Sequence, residues 1–287
     1  MKPFKCLFWP NESKEEAIRI ARRLIRYLDR QGGEAFVRDS LIDRFKDEPV
    51  RPAAEAKPEE LDLLVPMGGD GTIIGSVRRY KNYQIPLLGI NLGDLGFLAE
   101  VEPSEAEEAL QEVLDGLYRI EERILLEGRI IKTSGEEEGP FTALNEVMIN
   151  RHMMASLIRM SVYINDQFID SFSGDGLIVC TPTGSTAYNL SAGGPIVAPS
   201  ARNLVITPVC VHSLNVRSIV TSEEDQIRIV IGESKGEAKP SIISIDGQKN
   251  EWLEEGDHLI LQRSERTVPL IKVKDHSFYE TLKEKMF

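Results

Sequence analysis

Long apolar runs and an excess of positive charge are both missing from this chain of 287 residues. No segment approaches the ~20 successive apolar residues that a helix needs to cross a bilayer. The apolar run that follows Met1 is too short for a secretion signal. A net charge of −12 repels a nucleic-acid backbone, and no local basic patch offsets it. We therefore expect a cytoplasmic protein that binds neither membranes nor nucleic acids.

Cysteine is scarce, and the spacing typical of protein metal sites is absent. Cys6, Cys180 and Cys210 cannot all pair, so we interpret them as reduced and mostly buried thiols. The four histidines are scattered along the chain: His152, His212, His258 and His276. Because their spacing does not match a ligand pattern, the sequence predicts no metal cage built by the protein alone.

The hydrophobic pattern changes near residue 123 and divides the chain into two predicted domains. Before it, apolar runs such as Phe4–Trp9 and Leu61–Val65 alternate with helical patterns, which is typical of a βαβ-type sheet. After it, apolar and polar residues alternate with period two, as in residues 158–164 and 227–231, which predicts a mostly-β domain. We predict that residues 1–122 and 268–287 form the first domain and residues 123–267 the second, with a C-terminal helix returning to the first.

Local signals predict the ends of several elements. Capping-box patterns at residues 13–16 and 104–107 predict the starts of two helices, and Leu117 is expected on the inward face of the second. Residues 47–60 are rich in Pro, Ala and Glu and lack an apolar period, which predicts a surface loop. Residues 234–240 predict a polar turn.

The sharpest chemical signal is the sequence GGDGT at residues 68–72, between an apolar strand and a helix. Backbone N–H groups in such a turn, at a helix N-terminus, can bind phosphates. The carboxylate of Asp70 is electrostatically unfavourable in an anion-binding turn unless it contacts a metal ion or a hydroxyl group that loses a proton. A tight turn with a helix-capping Asp would explain a single Gly-Asp-Gly, but explains five such residues together less well. The turn matches neither the Walker loop nor the dinucleotide fingerprint.

Three further polar segments lie at predicted strand ends, where ligand sites are commonly built: residues 145–146, 173–176 and 183–195. The last combines hydroxyl groups, glycines and the aromatic ring of Tyr188, which favours a nucleotide ligand. Each segment alone is also explained by turn and capping chemistry.

Together these segments resemble the NAD kinase family, from about Leu61 to the C-terminus. The sequence NLGDLGFL at residues 91–98 is similar to the family's second glycine motif, and LNEV (144–147), DGLI (175–178) and TPTGSTAY (181–188) follow in the family's order. Thr-Pro at 207–208, His-Ser-Leu at 212–214 and Gln248 also fit the family pattern. Two departures are Ser173, where a basic residue is frequent, and Ser218, where Pro is common.

The resemblance implies a Rossmann-like N-terminal domain, a β-sandwich-like C-terminal domain and a substrate site between them. It implies phosphoryl transfer from ATP or polyphosphate to NAD, with Mg²⁺ or another divalent cation arriving with ATP. Asp70 is then the catalytic residue at the reacting hydroxyl. The substrate-binding candidates are Gly68, Gly69, Gly71, Thr72, Asn145, Glu146, Asp175, Thr183, Thr186, Ala187, Tyr188, Ser191, Cys210 and Gln248. A homodimer or homotetramer is also implied.

Two other functions remain open from the residues alone. A lipid or sugar kinase could share the GGDGT turn, although the acidic balance and the lack of an amphipathic helix disfavour a membrane substrate. A non-catalytic sensor of NAD or NADP would not need a carboxylate among the phosphates.

Overall fold

The structure is a computed structural model that describes residues 2–93, 96–152, 157–212, 215–232, 240–275 and 277–286, with the backbone alone at residues 249 and 250. The described chain divides into two compact units. Unit 1 comprises Met1–Arg123 and Val268–Phe287, and unit 2 comprises Ile124–Thr267. The predicted turn at residues 234–240 falls almost wholly outside the described residues, as do parts of the motifs at residues 91–98 and 212–214 and the prediction for His276.

Unit 1 contains a five-stranded parallel sheet with strand order β3-β2-β1-β4-β5. Its strands are β1 (Lys5–Pro10), β2 (Glu34–Val37), β3 (Val50–Pro52), β4 (Leu63–Gly68) and β5 (Ile90–Asn91). The α-helices of the unit are α1 (Glu15–Arg30), α2 (Asp70–Arg79), α3 (Ala106–Leu114) and, after unit 2, α5 (Phe278–Met286). Short 3₁₀ helices occupy Asp39–Phe45, Ala53–Glu55 and Pro58–Glu60.

One face of this sheet packs on α1 and α3. Apolar residues recur along α1 with a helical period, and Ala17, Ala21, Leu24 and Leu28 are all fully or almost fully buried. They share a core with Cys6 and other residues of the central strands. The predicted parallel sheet covered by helices is therefore confirmed.

Unit 2 contains two six-stranded sheets of antiparallel character, with strand orders β10-β9-β14-β17-β6-β7 and β13-β12-β11-β8-β15-β16. The strands are β6 (Arg119–Ile131), β7 (Glu137–Ala143), β8 (Glu146–Arg151), β9 (Ile158–Ile164), β10 (Gln167–Gly174), β11 (Gly176–Cys180), β12 (Asn203–Val209), β13 (Ile219–Ser222), β14 (Ile227–Ile231), β15 (Ser241–Ile245), β16 (Lys249–Leu253) and β17 (His258–Lys272). A 3₁₀ turn at Thr183–Thr186 leads into the short helix α4 (Tyr188–Ser191).

The alternating residues of both sheets meet in one apolar core. Met160 and Ile229 from the first sheet share this core with Val179, Ile206 and Ile243 from the second. In the first sheet the residues between them are more exposed, as expected where one face of a sheet is buried, whereas the outer face of the second sheet carries a separate apolar cluster around Ile178. The predicted β-sandwich is confirmed.

The C-terminal segment returns to unit 1, as expected. Leu87 donates its N–H to Pro269 O at 2.9 Å, and Ile271 donates to Leu87 O at 2.8 Å. On α5, the ring of Phe278 packs against Phe97 with ring centroids 5.8 Å apart. The ion pair of Lys272 with Glu100, at 2.6 Å, is almost fully buried.

Three local predictions are wrong. Neither predicted capping box forms, because α1 and α3 begin at Glu15 and Ala106 without a side-chain cap. Leu117 is 66% exposed, since α3 ends at Leu114. The predicted loop at residues 47–60 contains the edge strand β3, which pairs with β2 through its backbone and needs no apolar period.

None of the described helices combines the length and apolarity that crossing a bilayer requires.

Candidate active site

The glycine turn connects β4 to α2 in unit 1. Gly69 precedes the first helical residue, Asp70, and its carbonyl accepts the N–H of Thr72 at 2.8 Å. A methyl group placed on Gly69 or Gly71 would meet no described atom within 4 Å. The backbone of the turn therefore faces open space at a helix N-terminus, where N–H groups and the helix dipole favour an anion.

The carboxylate of Asp70 is half-buried and held by the segment that follows β5. Phe97 donates its N–H to Oδ2 at 3.2 Å, and Leu98 donates to Oδ1 at 3.4 Å. Gly96 lies so close that a Cβ atom at that position would overlap the carboxylate. These contacts fix the orientation of the side chain.

Three residues near the turn were not identified from the sequence. Asn11, directly after β1, donates from Nδ2 to Thr72 Oγ1 at 3.2 Å. Lys14 Nζ donates to the carbonyl of Leu92. Arg123 is buried and interacts electrostatically with Asp70; burial lowers the pKa of its guanidinium group. Lys14 and Arg123 supply positive charge around the turn that glycines cannot supply.

In unit 2, a second polar region forms where β8 begins. The carboxylate of Asp246 accepts the N–H groups of Leu144, Asn145 and Glu146 at 2.9, 2.8 and 3.1 Å. Gly184 packs directly on the backbone of Asn145, so that a side chain at position 184 would clash. Asp246 was not identified from the sequence, although the neighbouring Gln248 was.

Glu146 is the most perturbed acid of this region. It is 8% exposed, and its buried Oε2 atom has no hydrogen-bond partner among the described residues. Burial raises the pKa of Glu146 to about 7, and the negative charge of Asp246 adds to the rise. A buried carboxylate oxygen without a donor indicates a place for a ligand hydroxyl or amide group.

Buried polar side chains shape the segment from Thr183 to Ser191. Asn189 donates from Nδ2 to Ser185 O at 3.1 Å, and its Oδ1 accepts the hydroxyl of Thr207 at 2.7 Å. Of the predicted binding residues here, Thr183 is buried, Thr186 and Ala187 are partly buried, and Tyr188 and Ser191 are exposed. The ring of Tyr188, 48% exposed, offers an aromatic face to a ligand.

A third region lies at the start of β11. Arg151 forms a two-point ion pair with Asp175, with Nε to Oδ1 and Nη2 to Oδ2 both at 3.2 Å. Asp175 donates its N–H to Val209 O at 3.0 Å, which places Cys210 beside it. Cys210 is exposed and its φ is +48°. Arg151 thus provides a basic side chain beside Asp175, whereas Ser173 is exposed on β10.

The second region, around Glu146, and the third region, around Asp175, lie at opposite ends of β11. Cys180 pairs with Glu146 at one end, and Gly176 pairs with Asn150 at the other. Four residue steps separate these pairs, a distance of roughly 14 Å. Gln248 is exposed in the turn between β15 and β16, next to Asp246. The structure therefore groups Asn145, Glu146 and the 183–191 segment together, and Asp175 with Cys210 apart from them.

Among the described residues, no group of three or more His, Cys, Asp or Glu side chains could hold a metal ion. Asp70 is the carboxylate of the glycine turn, and the open backbone around it suits a ligand that brings its own oxygen atoms.

Both units match family descriptions. Residues 7–118 match the ATP-NAD kinase N-terminal domain, and residues 144–273 match the ATP-NAD kinase C-terminal domain. The chain is 37% identical to the NAD kinase of Caldanaerobacter subterraneus subsp. tengcongensis, over 96% of both chains. It is 40% identical to the NAD kinase of Carboxydothermus hydrogenoformans, over 81% of each.

Solved structures share the fold. The yeast NADH kinase complexed with NADH superposes with a TM-score of 0.91 and 25% identity, covering 100% of this chain and 88% of the yeast chain. An NAD kinase from Archaeoglobus fulgidus in complex with ATP gives a TM-score of 0.75 over 99% of this chain and 98% of the archaeal chain. Since both family descriptions and close relatives cover most of its length, the chain belongs to the NAD kinase family.

Proposed function

We propose that this enzyme transfers the terminal phosphoryl group of ATP to the 2′-hydroxyl of the adenosine ribose of NAD and so produces NADP. The observation that supports this most directly is the carboxylate of Asp70. It lies inside an open glycine turn at a helix N-terminus and is held there by two backbone N–H groups. This arrangement brings a proton acceptor next to a phosphate-binding backbone.

The glycine turn binds the phosphates of the donor. The backbone of Gly68, Gly69 and Gly71 and the hydroxyl of Thr72 provide donors, and Lys14 adds charge. Phosphoryl transfer requires mainly that the attacking oxygen be positioned in line and that spreading negative charge be neutralised. Positioning alone can contribute roughly 7–11 kcal/mol to lowering the barrier. Asp70 orients the ribose hydroxyl and accepts its proton.

A divalent cation such as Mg²⁺ fits this turn only as part of a complex with the donor. The described residues include no cluster of three ligands, and Asp70 is a single carboxylate among glycines. Phosphate oxygens and water would therefore complete the coordination, as is usual for Mg²⁺. When bound, the cation neutralises charge on the phosphoryl oxygens, and Asp70 is the residue that would contact it.

Asn145 and Glu146 bind the adenosine ribose of NAD. Asp246 holds their backbone, so their side chains are aimed by contacts made before substrate arrives. The unpartnered Oε2 atom of Glu146 accepts a hydroxyl or amide N–H. The adenine ring lies against Tyr188, with Thr183, Thr186, Ala187 and Ser191 lining the rest of the pocket, and Gln248 contacts NAD from the neighbouring turn.

Asp175, oriented by Arg151, contacts the nicotinamide side together with Cys210. NAD is a long ligand, and groups roughly 14 Å apart can hold its two ends.

The decisive experiment incubates the full chain with NAD, ATP and Mg²⁺ and detects NADP with an NADP-specific dehydrogenase. Replacing ATP with inorganic polyphosphate tests the donor, and replacing NAD with a diacylglycerol or a sugar tests the rival kinases. Binding of NAD without NADP or ADP formation would instead support the sensor function.

We further propose a cytoplasmic enzyme that forms a homodimer or homotetramer. Three free thiols, two of them buried, suit a reducing compartment. Sedimentation of the purified chain measures the oligomeric state.

A further inference from the structure

A cavity lies within unit 1, lined by residues other than those assigned so far. Its volume is about 600 Å³, which falls in the range of small-molecule sites. Its walls come from Trp9 on β1, from the residues that follow β2 and β3, and from Arg79 to Tyr83 at the end of α2. In open parallel sheets, the space beyond the carboxyl ends of the strands is where ligands bind.

The walls combine aromatic rings with positive charge. Arg38 stacks over the ring of Trp9 at 4.7 Å, and Tyr80 meets Trp9 edge-on at 5.9 Å. Tyr83 is 41% exposed. Arg79 is exposed as well and has no ion pair among the described residues. Such walls suit a planar ring joined to an anionic group.

The neighbours of Arg38 do not satisfy all of the hydrogen-bond donors of its guanidinium group. Its Nε atom is buried and has no hydrogen-bond partner in the described part of the chain. Its carboxylate partner, Glu12, is 3.7 Å away and 60% exposed, so the ion pair is weak. A buried donor without an acceptor indicates that a ligand can supply one.

Hydrogen bonds through two neighbouring residues connect a wall of the cavity to the glycine turn. Arg38 Nη2 donates to Pro10 O at 2.7 Å, and Asn11, the next residue, donates to Thr72 Oγ1 at 3.2 Å. From Asp70 to Tyr80 the helix α2 advances about 15 Å. An extended nucleoside triphosphate can span this distance.

We propose that this cavity binds the nucleoside of the phosphoryl donor, with the purine ring against Tyr83 and Trp9 and the first phosphate near Arg38 and Arg79. Asp39, whose Oδ1 accepts the N–H of Ala54 at 2.9 Å, provides an acceptor for a ribose hydroxyl or the purine amino group. The inference rests on the proposed function, because it extends the donor site from the phosphates to the nucleoside.

Tryptophan fluorescence tests binding directly. The chain has two tryptophans, so Trp252→Phe leaves Trp9 as the reporter inside the cavity. We expect ATP, with Mg²⁺ and without NAD, to change this fluorescence saturably, whereas inorganic tripolyphosphate leaves it unchanged. An unchanged signal with ATP at concentrations above its KM would overturn the proposal.

Kinetics test whether the bound nucleotide is the donor. Tyr83→Ala and Arg79→Gln alter exposed residues, and Tyr118→Ala is a matched control on an exposed tyrosine elsewhere in unit 1. Because stacking on an aromatic ring contributes about 5- to 150-fold in affinity, we expect Tyr83→Ala to raise the KM for ATP within that range. The KM for NAD should stay constant, and the preference for ATP over CTP should fall.

The two proposals fail in different ways. If the wild type makes NADP from ATP but neither variant changes the KM for ATP, the nucleoside site is wrong and the kinase function stands. If ATP changes Trp9 fluorescence but no donor yields NADP, the kinase function is overturned and nucleotide binding at the cavity remains supported.

Discussion

Gly96 packs against the carboxylate of Asp70 so closely that any Cβ atom at position 96 would overlap Oδ1. The next two residues donate their N–H groups to the same carboxylate. The segment after β5 therefore fixes the position of the Asp70 side chain, and the size of residue 96 determines where that side chain can lie.

Gly96→Ala should displace the Asp70 carboxylate and lower kcat, because a misplaced proton acceptor loses much of its effect. We expect a fall of about 100-fold with the protein still folded. Gly75→Ala is the matched control: apart from its chain neighbours and the backbone of its own helix, no described atom lies within 4 Å of its Cβ position, and Ala favours the helix α2. Steady-state NADP formation and thermal unfolding of both variants provide the comparison. Equal kcat values for the two would contradict a positioning role for Gly96.

Asp70→Asn should lower turnover by about 10²- to 10⁴-fold, the usual contribution of a general base. Asn keeps the shape of the side chain but accepts protons poorly, so NAD binding measured by calorimetry should be retained. Asp166→Asn is a suitable control, because residue 166 is exposed in a turn with φ of +63°, a conformation that Asn tolerates. A fully active Asp70→Asn enzyme would remove the proposed role.

Tyr188→Ala should raise the KM for NAD about 5- to 150-fold through loss of stacking on the adenine ring, with kcat changed little. Tyr188→Phe keeps the ring and should behave nearly as the wild type. Phe168→Ala removes another exposed aromatic ring of unit 2 and serves as the control. If Tyr188→Phe loses as much affinity as Tyr188→Ala, the hydroxyl group and not the ring contacts NAD.

Glu146 makes stability depend on pH. Its pKa rises from 4.5 to about 7 in the folded protein, mainly because it is buried. Between these values the unfolded chain releases the proton and the folded protein keeps it, so the free energy of unfolding falls as pH rises. The loss is complete above about pH 7 and amounts to about 3 kcal/mol.

Glu146→Gln should therefore be more stable than the wild type at pH 8 and gain little at pH 5. Urea unfolding at both pH values measures the difference. Glu255→Gln, at an exposed carboxylate, should show no such change. An equal effect of Glu146→Gln at the two pH values would show that burial does not raise the pKa of Glu146.

The sequence predicts best where a structure is determined by neighbouring residues. Met160 and Val162 alternate with polar residues because one sheet face is buried, and the GGDGT turn follows its strand directly. The capping box of α1 does not form because Ser13 already has another partner. Asn11 Oδ1 accepts both the N–H and the hydroxyl of Ser13.

Contacts between distant segments could not be predicted in the same way. Asp246 binds the backbone of Asn145 from about 100 residues further along the chain, and this depends on the pairing of β15 with β8. Arg151 meets Asp175 only because β8 and β11 are neighbours. Nothing in the local sequence of either pair specifies such proximity.

The hydrogen bonds between Leu87 and the segment of Pro269 and Ile271 have a consequence for biosynthesis. Ribosomes deliver the chain from its amino end at about 5–20 residues per second. All of Ile124–Thr267 is therefore synthesised before the segment of Pro269 and Ile271 that pairs with Leu87. Unit 1 carries Asp70, and it cannot complete these contacts until the whole sequence of the sandwich has been synthesised.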